Sequence, residues 1–104
     1  MDPALPETFL MERYWPGVGR ADVAGAEERL RWAAGELMRE EVRIRVVGSM
    51  WIPADDVVMT LFEAGEEDEV REAGRRGGYP FDRIQRVDVV TEVRRRWRDD
   101  EERV

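Results

Sequence analysis

An α+β fold in the order β-α-β-β-α-β is what this chain of 104 residues predicts, and three observations carry the prediction. Four segments hold branched and aromatic residues at strand periodicity, and two others hold apolar residues at helical spacing. Proline- and glycine-rich turns separate them.

Thr8 to Trp15 reads as the first strand, stopped by Pro16-Gly17. From Asp22 to Glu40, Val23, Ala26, Leu30, Ala34, Leu37 and Met38 recur with the period of an amphipathic helix. Trp32 stands two residues beyond Leu30, about 200° round that helix, and is expected to point outward among Glu28, Gly35, Glu36 and Arg39. Val42 to Ile52 alternates as a second strand, Pro53-Ala54-Asp55-Asp56 forms a hairpin turn, and Val57 to Ala64 returns as the third. Glu66 to Arg75 is a shorter helix with acids at its positive end, Gly77-Gly78-Tyr79-Pro80 ends it, and Ile84 to Val93 is the fourth strand. This order is that of the ferredoxin-like split βαβ unit, in which two helices cover one face of a four-stranded antiparallel sheet. The domain runs from residue 8 to 93, after a loose leader over 1–7 and before a charged tail over 94–104. In that tail Arg95 with Asp99 and Arg98 with Glu102 have the spacing of helical ion pairs, and Trp97 sits between them.

Composition excludes much chemistry. The chain has no histidine, cysteine, lysine or asparagine, and Ser49 is its one serine. A Ser-His-Asp or Cys-His nucleophile, a Schiff-base lysine and a His/Cys zinc cage each lack a necessary side chain. Seventeen arginines against 24 acids give a net charge of −7, which argues against duplex nucleic acid and anionic membranes as partners. The cysteine-free sequence has no disulfide framework, and no segment reads as a membrane span or signal peptide, so a cytoplasmic protein is expected. Asp55-Asp56 suits local hydrogen bonding in a turn better than a metal cage, and Gly77-Gly78 suits a helix stop better than a phosphate cradle. No metal or cofactor is expected.

Alternation along the strands assigns side chains to sheet faces. With Val42, Ile44, Val46, Met50 and Ile52 toward the helices, Arg43, Arg45, Ser49 and Trp51 fall on the uncovered face. On the fourth strand Val87, Val89 and Val93 turn inward, and Arg86, Asp88, Val90 and Glu92 turn outward. Glu12 and Tyr14 are assigned outward on the first strand. The expected uncovered face therefore bears Glu12, Tyr14, Arg45, Ser49, Trp51, Thr60, Arg86 and Asp88.

The runs FLMERYWPG (9–17), VRIRVVGSMWIPADDVVMTLFEAG (42–65) and YPFDRI (79–84) resemble a small bacterial ferredoxin-like family, a domain of unknown function whose described activity is nickel binding. The blocks keep their order and spacing over residues 8–90. The resemblance implies a homodimer whose sheets face each other, a dimeric α+β barrel, with nickel where a member supplies imidazoles. The corresponding stretches here read VVGSMW and VREAGRR. Carboxylates and carbonyls suit Mg, Ca or Mn instead, so the nickel activity is not carried over.

A mixed polar and aromatic face enclosed between two copies suits an aromatic or polycyclic small molecule. The leading expectation is a cofactor-independent isomerase, cyclase or oxygenase-like enzyme of secondary metabolism. Glu12 or Asp88 would move protons, Arg45 or Arg86 would stabilise developing negative charge, and Tyr14, Trp15, Ser49, Trp51 and Thr60 would bind the substrate. Two other readings stand beside it: a non-catalytic metabolite- or metal-binding protein, and a structural dimeric module that docks through Trp32 or the tail, its sheet face sealed by arginine–carboxylate pairs.

Overall fold

The computed structural model describes residues 6–90. The elements follow the expected order: β1 (Glu7–Tyr14), α1 (Arg20–Arg39), β2 (Ile44–Ile52), a 3-10 turn (Pro53–Asp55), β3 (Val57–Ala64), α2 (Glu67–Arg76) and β4 (Arg83–Val87). They form a four-stranded antiparallel sheet in the order β2-β3-β1-β4 with the two helices on one side. This is the ferredoxin-like α+β fold. Among the described residues no helix is long and apolar enough to cross a membrane.

Each helix begins with an acid that reaches back to free backbone donors, the favoured use of an acid at a helix start. Asp22 accepts from Gly19 N–H at 2.9 Å, and Glu69 accepts from Gly65 and Glu66 N–H at 2.9 and 3.0 Å. The 3-10 turn closes on Asp56, whose left-handed backbone (φ 53°) is a conformation that aspartate tolerates better than most residues. Its carbonyl accepts from Trp15 N–H at 2.7 Å, which ties the hairpin to the end of β1.

One row of the sheet runs Val46, Phe62, Phe9 across β2, β3 and β1, and these buried side chains meet Leu30, Leu37 and Val70 of the helices. Where α2 turns toward β4, Tyr79 is buried and Trp15 packs edge-on to it, with ring centroids 6.1 Å apart. Arg13 lays its guanidinium 3.5 Å from the Trp15 centroid and 4.9 Å from that of Tyr79, a cation–π stack. Burial pushes the Tyr79 hydroxyl pKa up.

The C-terminal ends of the helices are clamped by charge. Arg76 donates to both carboxylate oxygens of Glu40, at 2.6 and 2.9 Å, and to Glu72 at 2.8 Å, while Arg75 also pairs with Glu72. These hydrogen bonds, Arg75 first and Arg76 second, lower the Glu72 pKa from the ordinary 4.5 to about 2, and Arg76 lowers that of Glu40. Carboxylates held below their unfolded values stabilise the fold above pH 4.5, and that contribution is lost as pH falls from there toward 2. Thermal melts taken from pH 6 down through that window are therefore expected to lose stability more steeply in the parent than in Arg76→Gln. The paired groups are partly open to solvent, so added salt should flatten the parent's profile.

Most element ends lie within two residues of expectation, with β2 starting later, at Ile44 instead of Val42. β1 and α1 each start earlier, at Glu7 and Arg20. β4 ends at Val87 instead of Val93 because its partner runs out: Thr8 pairs with Val87, and Pro6, just before β1, has no N–H to extend the ladder. Asp88–Val90 lie beyond the sheet, and 91–93 lie outside the described residues. So do most of the leader and the whole charged tail with Trp97.

Candidate functional site

The helices leave one sheet face uncovered, and the strand register lays it out as rows from β2 through β3 and β1 to β4. The first row is Arg45, Glu63, Thr8, Val87; the second Gly48, Leu61, Leu10, Gln85; the third Met50, Met59, Glu12, Arg83. Ile52, Val57 and Tyr14 form the last. The middle of the face is apolar and two ion pairs lie on opposite diagonals. Arg83 donates from Nε to Glu12 at 2.6 Å, Gln85 reaches the other Glu12 oxygen at 3.5 Å, and Arg45 pairs with Glu63. The Glu12 carboxylate holds the Arg83 pKa above its ordinary value. Within the strands this face carries two cations and two anions and is neutral, in a chain of net charge −7.

Three of the expected site residues stand there: Glu12, Tyr14 and Arg45. Tyr14 is exposed and has Val57 as its cross-strand neighbour.

Five others that were expected on this face do not, and each displacement has a local cause. β2 carries a register break between Val46 and Gly48. Val47 is the extra residue, and a bulge of this kind reverses the faces of everything beyond it. Ser49 and Trp51 are thereby turned to the helix side, and Met50 and Ile52 to the uncovered side. Thr60 is also on the helix side, in step with Phe62 and Val58, and is buried. Its Oγ1 lies 3.0 Å from Ser49 Oγ, in the cross-strand position directly opposite. This pairing satisfies a hydroxyl within the core-facing layer. On β4, Ile84 opposite Met11 fixes the helix side. Arg86, two residues on, shares that side, and Val87 faces out over the uncovered one. Arg86 turns its guanidinium to exposed Asp88, 3.1 Å away and past the end of the strand. Glu12 and Asp88 therefore do not form a pair on one face, and Arg86 does not join Arg45.

Trp15 also lies on the helix side, under Arg13 and against Tyr79 and the core. Trp32 is exposed on α1 as expected. Among the described residues no three acids gather as a metal site, and the Asp55-Asp56 pair is occupied with the hairpin turn.

The sequence reading missed Leu10, Met50, Met59 and Leu61, which form the apolar centre. Gly48 was the signal available: an isolated glycine inside a strand marks a bulge, and one extra residue exchanges Met50 for Trp51 on this face.

Fold and face together define a two-layer α+β domain, helices over a sheet, with one side of the sheet apolar, charge-balanced and uncovered. No protein-family model and no curated protein matches the chain. It is similar in structure to SCO4226 from Streptomyces coelicolor A3(2), with a TM-score of 0.66 and 15% identity over 81% of this chain and 99% of that one. A likeness at that identity is one of fold.

Proposed function

We propose that two copies of this chain meet through their uncovered sheet faces, as a dimeric α+β barrel, and hold a small hydrophobic molecule between them. The observation that carries this reading is the face itself: Leu10, Met50, Met59 and Leu61 contiguous on one side of a sheet that its own helices do not cover. A continuous apolar surface of this kind is a cost in water and marks an interaction site. Neutrality lets like copies approach despite the charge of the whole chain. Room for a guest is suggested by Gly48, which adds no side chain to the row of Leu61 and Leu10, and the Glu12–Arg83–Gln85 group supplies the few polar contacts that orient a ligand in an apolar site.

Binding is favoured over turnover. Of the four groups expected to do chemistry only Glu12 and Arg45 share the face, and each is tied to a partner of its own, Arg83 and Glu63. Light scattering during size exclusion tests the assembly, which should have twice the 12.2 kDa of one chain. Native mass spectrometry of the freshly purified protein tests the guest. An added mass that leaves on organic extraction is the expected result. A dimer that never carries one, even when offered naphthalene or a steroid, would instead be a sealed structural module, and a monomer would remove the reading altogether.

A further inference from the structure

The bulge in β2 builds a second feature on the opposite side of the sheet. Ser49 and Trp51, turned under the first half of α1, join Arg20, Val23, Ala24 and Glu27 in an open groove of about 290 Å³. Bulges on edge strands recur where a side chain is re-aimed beside a functional site, and β2 is an edge strand. Arg31 of α1 secures the break by donating to Val46 O at 3.1 Å.

The groove's polar groups are unequally used. Glu27 is neutralised by Arg31 at 3.2 Å. Arg20, exposed at the first position of α1, forms no ion pair with any described residue. Trp51 Nε1–H is closed off from solvent with no acceptor among the described residues, so Trp51 offers the groove its ring and not its donor. A guanidinium with no ion pair among the described residues, beside an indole and the apolar Val23 and Ala24, suits a flat apolar body that carries a negative acceptor.

We propose that this groove binds a small planar acid, an aromatic carboxylate of one or two rings, with its ring against Trp51, Val23 and Ala24 and its carboxylate on Arg20. The volume of about 290 Å³ is just under the usual range of ligand sites, which favours one or two rings over larger polycycles. The site is complete within one copy and is independent of the sheet-face dimer.

Titration with 2-naphthoate, followed by ¹H–¹⁵N NMR, tests it. The indole N–H signal of Trp51, identified by its loss in Trp51→Phe, should move saturably. Arg20→Gln should weaken binding by about tenfold or more, and neutral 2-naphthamide should bind more weakly than the acid by a similar factor. An unmoved Trp51 signal, or equal affinity in Arg20→Gln, overturns the proposal. Leu61→Glu, altered only on the far face, should bind 2-naphthoate as the parent does. If that variant stays folded and loses the probe, the acid was bound between the sheets, and the groove proposal fails while the sheet-face reading stands.

Discussion

Leu61→Glu is expected to convert the proposed dimer into a folded monomer, raising its dissociation constant on the order of a hundredfold or more. The magnitude follows from placement. Leu61 lies between Leu10 and Gly48 in the middle of the uncovered face, so apposed copies would bury two unpaired carboxylates. The same side chain contributes nothing to the cluster that holds the domain together, and the melting temperature of the monomer should change little at high dilution. Sedimentation velocity over a concentration series measures the first quantity and circular dichroism the second. A Leu61→Glu protein that remains dimeric would show that the copies meet elsewhere. A variant that unfolds is distinguished by its lost far-ultraviolet signal, and Leu61→Ser then repeats the test with a smaller perturbation. Any hydrophobic guest should leave with the dimer.

The fold was legible because it depends on periodicity and punctuation, and both are local. Val23 to Met38 could hardly be read as anything but a helix, and Pro16-Gly17 and Gly77-Gly78 stopped the right elements. The site was legible only in part, because a face assignment accumulates every residue since its last anchor. On β1 the run from Phe9 to Tyr14 is regular, and Glu12 and Tyr14 fall where alternation puts them. On β2 the single extra residue at Val47 was enough to exchange polar Ser49 and aromatic Trp51 for Met50 and Ile52. Thr60 is a separate case: its step with Phe62 and Ala64 puts it on the covered side, where a hydroxyl needs no water once Ser49 stands opposite. On β4 the buried Ile84 was the anchor, and counting from it instead of from the valines at 87 and 89 gives the observed sides. The uncovered face is consequently more apolar than the sequence reading made it.

Phe62→Ala should destabilise the domain by about 3–5 kcal/mol, the usual cost of emptying a fully enclosed aromatic site. A domain of this size has only about 5–15 kcal/mol in total, so the variant should sit near the edge of folding at room temperature. Phe62 is wholly buried on the central strand β3, with Phe9 on one side and Val46 on the other. Its neighbours are hydrogen-bonded across both ladders, which leaves little freedom for collapse into the void, and the loss should fall toward the upper end of the range. Urea unfolding monitored by tryptophan fluorescence gives the value. Phe62→Leu, which keeps most of the volume, should lose well under half as much. The comparison also bears on the face assignments, since Phe62 and Leu61 are consecutive residues with opposite expected effects. Substitution at 62 should lower stability at any protein concentration, whereas substitution at 61 should change assembly and leave the isolated domain intact. Equal effects at the two positions would mean that β3 does not separate a covered side from an uncovered one, and the proposed dimer interface and proposed groove site would both lose their structural basis.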